Sequence, residues 1–301
     1  YCTDLQTAIV KAAGGGTVKL LKNVTLTESV NNANSENVTL DLNDCTITSS
    51  ATVLNVWSSG MTICDSSEGG SGRICNDANE RGTAVYVQGG SLTIRGGTFE
   101  ARDSSGGYAL CAAASGSAGS VTITGGTFKS KVDANISTTI SGGTFEKNVT
   151  VYPSSSSPVV ISGGNFAALE TRNNTAIRTL LADGYGLKRS DGSWLTEENL
   201  TGTTAAQVTA VQAPLTSVAI SVTPGTTVEY GQSVKLNLEY TTNPTGISVD
   251  HKWYSVDETD IATEITDAKD TEYTPTNLSV GEHKYRVTAT ADGYSKSAEI
   301  T

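Results

Sequence analysis

The sequence predicts an all-β chain: a parallel β-helix capped by short helices, followed by a β-sandwich. Three observations support this fold class. A six-residue phrase with Gly-Gly at its centre and Phe at its end occurs four times and uses all four Phe of the 301-residue chain. Short runs of alternating apolar and polar residues precede the phrase, as strands require. Beyond residue 215 the alternating runs are separated by Pro-Gly and Asn-Pro turn signals, which are typical of antiparallel strands.

The four copies of the phrase, at residues 94–99, 123–128, 140–145 and 161–166, predict one stacking unit each. The Ile that begins each copy closes a short strand, the two glycines permit a sharp bend with positive φ, and the Phe points back inside. Such a unit cannot bury its apolar face alone and needs a copy above and below it. The Phe residues recur after 29, 17 and 21 residues, which suits one coil of a β-helix with extra residues in loops.

Aligning the coils on this phrase predicts which side chains point outward. Thr62, Thr93 and Thr122 should form one outward column. A corner position should hold the residue after each closing Ile: Cys64, Arg95, Thr124, Ser141 and Ser162. Met61 and Leu92 each lie two residues before a closing Ile, and counting back seven residues from them gives Leu54 and Val85, which should point inward. Asn55 and Tyr86 should then point outward in one column and Trp57 and Gln88 in the next.

A short helix is predicted to cover the first end of the stack, because an open strand edge invites aggregation. Thr3 can cap this helix, with Gln6 reaching back in a capping-box pattern. Its apolar stripe comprises Leu5, Ala8, Ile9 and Ala12.

The second end is predicted to be covered after the last Phe. Asn173 or Asn174 can cap a helix that carries Ile177, Leu180 and Leu181, with Gly184 just beyond its end. The residues expected to complete this cover are Tyr185, Leu187, Trp194 and Leu195.

The domain organisation follows from these patterns. Residues 1–198 form the β-helix with its N-terminal capping helix, 199–214 a linker or last strand, and 215–301 a sandwich. The expected sandwich strands lie at 218–222, 234–238, 252–254 and 285–289, and Trp253 lies in the third of them.

The Gly-Gly-Thr-Phe phrase resembles the repeat of gut-bacterial surface or adhesin-like proteins with a right-handed parallel β-helix of the pectate-lyase-like fold. The opening, from Asp4-Leu5-Gln6 to Leu26, and the segments at 40–43 and 181–185 are also similar to theirs. The resemblance covers about two-thirds of the chain and implies secretion. The last part resembles a bacterial immunoglobulin-like domain, in which His283 would replace the corner Tyr and Tyr285 the second core Cys.

Composition limits the partners. The net charge is −11 and no basic stripe is present, which argues against nucleic acid and against an anionic membrane surface. No apolar run approaches the ~20 residues of a membrane span, so no membrane insertion is expected within this segment. The chain begins at Tyr1 rather than Met, which suggests that an upstream segment has been removed. No cofactor is expected.

The five Cys favour no metal site. They form no C-x-x-C pair, and both His, His251 and His283, lie in the predicted sandwich, so zinc is not expected. Cys64 and Cys75 flank one loop and are the plausible local disulfide. The alternative, small buried or half-buried thiols, is favoured.

A catalytic function would depend on charged residues in the loops. Without a His in the first domain, Ser-His-Asp and Cys-His chemistry is excluded there. Polysaccharide hydrolysis needs two carboxylates beside one groove, and the nearest cluster is Glu100, Arg102 and Asp103. The later coils supply no ladder of Asp pairs, so catalysis is the alternative rather than the expectation.

A binding reading depends on four outward side chains. Asn55, Trp57, Tyr86 and Gln88 could form a sugar-stacking strip across two coils about 4.8 Å apart. The competing interpretation is that loops 65–82 or 101–119 cover the rings as a satellite core. The sequence therefore predicts a non-enzymatic extracellular or cell-surface protein that binds a glycan or a host protein. The alternatives are a polysaccharide lyase or glycoside hydrolase and a structural stalk.

Overall fold

The computed structural model describes residues 2, 4–32, 36–57, 59–102, 106–113 and 119–301. Strands account for 51% of it and helices for 5%, so the fold is mostly β. The chain forms two compact units. The first unit is Tyr1–Ala182, Leu187–Gly192 and Leu200–Val211; the second unit is Asp183–Gly186, Ser193–Asn199 and Gln212–Thr301.

A large sheet dominates the first unit. It follows one helix, α1 (Leu5–Lys11). Its first seventeen strands are β1 (Thr17–Lys19), β2 (Val24–Leu26), β3 (Val30–Asn31), β4 (Val38–Asp41), β5 (Thr46–Ser49), β6 (Leu54–Val56), β7 (Met61–Cys64), β8 (Arg73–Asn76), β9 (Thr83–Val87), β10 (Ser91–Ile94), β11 (Thr98–Ala101), β12 (Tyr108–Ala113), β13 (Ser120–Ile123), β14 (Thr127–Phe128), β15 (Lys131–Asn135), β16 (Ser137–Val151) and β17 (Val159–Thr171).

Each of the strands β1 to β12 pairs in parallel with the strand three places later in the chain, which produces three columns of stacked strands. The first column runs β1, β4, β7, β10, β13. The second runs β2, β5, β8, β11, β14. The third runs β3, β6, β9, β12, β15. The long strands β16 and β17 continue all three columns. This order is consistent with the predicted parallel β-helix.

The predicted Phe ladder lies in the core. Phe99, Phe128, Phe145 and Phe166 stack in sequence, with ring centroids 5.1, 4.7 and 4.9 Å apart. All four side chains are buried, as are the Ile residues that begin each phrase. The repeated phrase therefore fixes both the coil register and the core.

The two glycines of each phrase have different roles. The second adopts positive φ, at 93° for Gly97, 96° for Gly126 and 99° for Gly143. The first permits close stacking: a Cβ on Gly142 would lie 2.3 Å from the backbone O of Thr124, one coil earlier. The predicted glycine bend is confirmed, and close approach of neighbouring coils is an additional requirement.

Side-chain hydrogen bonds cap α1 at its N-terminus and join it to the first coil of the stack. The N-cap is Asp4, whose carboxylate accepts from the Thr7 N–H at 2.7 Å, and this bond lowers the pKa of Asp4 below its ordinary value. Thr3 lies outside the described residues. The expected capping role of Gln6 is wrong, because its amide exchanges two hydrogen bonds with the main chain of Asn31, at 2.8 and 2.9 Å. Leu5 and Ile9 form the buried side of the helix.

The second end differs from the prediction. A 3₁₀ turn spans Ile177–Leu180 behind Ala176 and has no side-chain cap. Asn173 and Asn174 adopt positive φ in the preceding turn, so neither is a helix cap. The edge of β17 pairs instead with the antiparallel strand β19 (Thr204–Gln212), which lies within the segment predicted as a linker or last strand.

Trp194 belongs to the second unit. Its ring packs edge-on against Tyr294, with centroids 4.9 Å apart, and its Nε1 donates to the Asp292 carbonyl. The partners that the structure gives Trp194 are thus residues of the second unit. The segment between β17 and β19 also contains β18 (Tyr185–Arg189) and the short helix α2 (Glu197–Leu200).

Two antiparallel sheets form most of the second unit. Their core joins Leu236 and Leu238 of one sheet to Trp253 and Val287 of the other. The three-stranded sheet is β20 (Leu215–Thr223), β21 (Lys235–Thr242) and β24 (Glu272–Tyr273). The four-stranded sheet is β23 (Ala262–Glu264), β22 (Asp250–Val256), β25 (Lys284–Ala291) and β26 (Tyr294–Ile300).

Candidate functional site

The outward side of the third column carries the predicted binding residues. Asn55 of β6 pairs in register with Tyr86 of β9, as the coil alignment predicted. The main chain of Gln88 donates to Val56 O at 2.8 Å, which places Gln88 one coil beyond Trp57. We call these four side chains the aromatic patch. Its 2 × 2 arrangement is confirmed, whereas its binding role stays a prediction.

Trp57 is both exposed and anchored. Its side chain is 45% exposed. Its backbone N–H donates to the Asn32 side-chain oxygen at 3.0 Å, and the Asn32 amide nitrogen donates to Ser59 O at 3.1 Å. Asn32 is itself buried. A buried amide therefore fixes the main chain at a partly exposed indole, while Tyr86, diagonal to it on the next coil, is half-buried.

The same face continues over four more coils, which the sequence reasoning missed. Tyr86 is followed in register by Cys111, Asp133, Thr150 and Glu170. Tyr152 N donates to Ala134 O, so Tyr152 lies beside this column, and its hydroxyl donates to Asp133 Oδ2 at 3.3 Å. Asn135 and Tyr152 each follow a repeat Phe by seven residues, and that constant offset could have located them.

Burial shifts the pKa of two side chains on this continued face, Cys111 and Asp133. It raises the pKa of the Cys111 thiol to about 11 and raises the pKa of the Asp133 carboxyl, whose bond from Tyr152 acts in the opposite direction. Since a thiolate is the reactive form of Cys, this raised pKa disfavours Cys111 as a nucleophile.

A second group lies on the outward side of the second column. Glu100 and Arg102, the predicted alternative catalytic residues, line one open cavity with Arg73, Asp77 and Lys129. We call these five side chains the charged cleft. Asp103 lies outside the described residues, so the third member of that predicted cluster has no structural account.

Glu100 is engaged in the charged cleft. It forms an ion pair with Arg73 and accepts the Cys75 thiol at 3.4 Å. Arg73 also donates to Cys75 Sγ at 3.4 Å. Burial raises the pKa of Cys75, with the Arg73 bond opposing it, so the thiol is protonated at neutral pH. This arrangement offers neither a thiolate nor a carboxylate free of an ion pair at Glu100.

Neither candidate group brings metal ligands together. Within the described ranges, no three His, Cys, Asp or Glu side chains are close enough to hold a metal ion. Cys64 and Cys75 are not bridged; both are free thiols. Cys64 points outward from the first column beside Asp41, whereas Cys75 lies on the second column beside Glu100, so the bend between β7 and β8 separates them.

Comparison with known proteins gives no match: no family model, curated protein or solved structure is significantly similar to this chain. Among the described residues, no helix is long and apolar enough to cross a membrane. The functional argument therefore depends on the geometry of the two faces.

Proposed function

We propose that this chain is an extracellular or cell-surface bacterial protein that binds a glycan on the third column of its β-helix and does not turn it over. The observation that carries the proposal is the exposed, anchored Trp57 beside the Asn55–Tyr86 pair. Flat aromatic rings bury the apolar face of a sugar at low conformational cost, and the amides of Asn55 and Gln88 supply donors and acceptors for its hydroxyls.

The length of the face supports a linear ligand. Trp57 and Tyr152 lie in one outward line, four coils apart by the order Trp57, Gln88, Ala113, Asn135, Tyr152. At about 4.8 Å per coil this line is roughly 19 Å long. A rigid repeat of this kind provides an extended contact surface, which suits a chain of several sugar units better than a single small molecule.

The engaged Glu100 supports binding over catalysis. A glycosidase needs a proton donor and a second carboxylate at a defined separation, and Glu100 is already bonded to Arg73 and to the Cys75 thiol. The alternative, a polysaccharide lyase or hydrolase in the charged cleft, depends on Glu100 and Arg102 acting as a catalytic group despite these bonds.

We also propose the handedness and class of the β-helix and the fold class of the second unit. The parallel columns and the Gly-Gly-Thr-Phe phrase support membership of the adhesin-like β-helix class, with a right-handed coil. The sheet orders, with Trp253 in β22, support an immunoglobulin-like spacer or adhesion module. His283 Nε2 lies 3.0 Å from Ser279 O, a side-chain bond to the main chain upstream of the kind that a corner Tyr makes.

A glycan-array screen followed by calorimetric titration tests the proposal. We expect binding that Trp57→Ala and Tyr86→Ala each weaken, by about five- to tenfold, because each ring contributes about 1 kcal/mol. The matched control is Tyr240→Ala, an exposed aromatic residue of the second unit, which should leave the affinity unchanged. Equal losses for all three variants would contradict the assignment of the patch.

An activity assay separates the binding and enzyme readings. Incubation with pectic, alginate-like and mucin glycans, with and without calcium, should release neither unsaturated products nor new reducing ends. Turnover that Glu100→Gln abolishes would establish the enzyme alternative. Glycan or host-protein binding that is unaffected by Trp57→Ala and Tyr86→Ala would retain the adhesin class but place its site elsewhere, with the acidic second unit as the next candidate.

A further inference from the structure

The core between the two sheets of the second unit is open at one end. A cavity of about 430 Å³ lies at this end. It is lined from both sheets, by Val222 of β20, Tyr285 of β25 and Ile300 of β26. These three side chains pack against the buried core and are themselves only half-buried. The cavity has the usual size of a binding pocket, which is roughly 300–1,000 Å³.

Two loops form the rim of the cavity. The first rim loop, residues 224–234, joins β20 to β21, and the second rim loop, residues 274–283, joins β24 to β25. Tyr230 of the first loop is 82% exposed and Val280 of the second is 84% exposed. No other large hydrophobic side chain that the structure describes is as exposed as these two. Exposed apolar groups around an apolar cavity, with polar residues beside them, mark interaction sites.

The main chain of both rim loops is available to a partner. Residues 226–228 and 280–282 form no main-chain hydrogen bond to other main-chain groups of the continuously described stretch 119–301. A protein segment offers an N–H and a C=O at almost every residue, whereas a small apolar molecule offers neither. The rim therefore suits a peptide better than a lipid-like ligand.

The charges at the rim favour one sign of partner. Glu229 and Glu282 line the cavity and are exposed. Neither forms an ion pair within the second unit, all of which the structure describes. The lining of this described cavity contains neither Lys nor Arg, and residues 215–301 carry 13 acidic against 6 basic side chains. Complementary charge steers binding and suppresses wrong partners, so these carboxylates favour a cationic segment.

We propose that this cavity is a docking site for a segment of a partner protein in which apolar side chains are flanked by Lys or Arg. The apolar side chains enter between Tyr230 and Val280 and cover the open end of the core. The basic side chains lie beside Glu229 and Glu282. Burial of the apolar side chains supplies the affinity, and the charges supply the selectivity. The site lies within the second unit and does not depend on the glycan proposed for the aromatic patch.

The test is an NMR titration of the full chain with three amidated synthetic peptides at neutral pH. The probe is Lys-Leu-Phe-Leu-Lys. The comparison peptides are Glu-Leu-Phe-Leu-Glu, which reverses the charge, and Lys-Ser-Gly-Ser-Lys, which removes the apolar centre. We expect saturable shift changes with the probe, clustered in the two rim loops. Each comparison peptide should bind about tenfold more weakly or not at all.

Substitutions at the rim locate the site. Tyr230→Ser and Val280→Ser should each weaken the probe by about tenfold, because each removes apolar surface from the contact. Glu229→Gln and Glu282→Gln should each weaken it by about two- to fivefold, the range for one exposed charge pair. All four positions are exposed, and circular dichroism confirms that each variant is folded.

Two matched controls lie in the same unit but outside the cavity. Ile261→Ser changes a hydrophobic side chain that is 63% exposed, and Glu258→Gln changes an exposed carboxylate. Both should leave the affinity for the probe unchanged. Trp57→Ala should also leave it unchanged, so failure of the aromatic-patch proposal and failure of this one are distinguishable.

Three outcomes would overturn the proposal. The first is no saturable binding of the probe, or equal binding of the probe and Glu-Leu-Phe-Leu-Glu. The second is an equal loss of affinity in the rim variants and the two matched controls, which would indicate a general surface effect. The third is self-association in analytical ultracentrifugation that Val280→Ser removes, without peptide binding, which would make a second copy of this chain the occupant.

Discussion

Phe145 and Phe166 stack with ring centroids 4.9 Å apart and planes within 4° of each other. The separation equals the ~4.8 Å spacing of neighbouring strands, so the rings follow the backbone repeat without tilting. Offset-stacked aromatic rings commonly have centroids about 4.5–7 Å apart, so the coil repeat matches a spacing that the rings themselves favour. Each ring therefore packs against its neighbours in the stack.

Phe128 and Phe145 should be the most sensitive positions of the Phe ladder, because each has a stacked ring on both sides. We expect Phe128→Ala to lower the free energy of unfolding by about 3–5 kcal/mol, since rigid neighbouring coils cannot collapse into the cavity. Phe145→Ala should behave alike. Urea unfolding monitored by circular dichroism measures the loss. A change under about 1 kcal/mol for both variants would contradict the stacked core.

The glycine corner should reject side chains at both of its positions. Gly143→Val should fail because φ is 99° there, and Gly142→Ala because its Cβ would lie 2.3 Å from Thr124 O. Thr144→Val should be mild, since Thr144 is exposed. Melting temperatures and soluble yield of the three variants provide the comparison. Similar values for Thr144→Val and Gly142→Ala would contradict the close-approach argument.

Asp133 should make stability depend on pH in a direction opposite to that of most carboxylates. Burial raises its pKa in the folded state above the ordinary 3.8, so the folded chain holds the proton more tightly than the unfolded chain. The stabilisation is complete below pH 3.8 and is lost as pH rises through the folded pKa. Replacing Asp133 with Asn removes this titration and keeps an oxygen that can accept from Tyr152.

We therefore expect the melting temperature of Asp133→Asn, relative to that of the unmodified chain, to increase from pH 3 to pH 7. Thermal scans at several pH values measure the difference. Asp267→Asn, at an exposed position of the second unit, is the control for the loss of one carboxylate. A difference that is constant or declines with pH would show that Asp133 is not destabilised by burial.

The second unit should fold without the first. A fragment of residues 215–301 has its own core around Trp253, and we expect a cooperative transition without any disulfide. It lacks Trp194, which packs on Tyr294. A fragment of residues 183–301 should therefore melt higher, and Trp194→Ala within it should remove the gain. A non-cooperative 215–301 fragment would contradict the independent core.

The sequence predicts positions well where one residue type recurs. Phe99 and Phe128 marked the coil register, and counting from the phrase placed Asn55 beside Tyr86. Tyr152 was missed because its column holds a different residue in every coil, so only its constant offset from a repeat Phe, and no recurring residue type, could have located it. The register depends on backbone bonds that repeat, whereas the outward side chains are free to vary.

The errors arise where local signals compete. Thr3 and Asp4 are both good N-cap residues, so the sequence did not decide between them. It also did not show that the Gln6 amide hydrogen-bonds to the main chain of Asn31 rather than capping its own helix. Trp194 directly follows the stack in sequence, yet its ring packs on Tyr294, 100 positions later, and sequence alone did not point to that contact. Glu100 looked like a loop charge, but Arg73 and Cys75 approach it only because β8 and β11 pair.

The bonds at the two ends restrict how the stack can change in length. Gln6 occupies the main-chain groups of Asn31 at one edge, and β19 runs antiparallel along β17 at the other. A coil appended outside either edge would meet a partner of the wrong chemistry or direction. A coil duplicated between Phe99 and Phe166 would meet Phe, Ile and glycine neighbours on both sides. Homologous chains with more or fewer repeats should therefore differ by internal gain or loss, with both ends conserved.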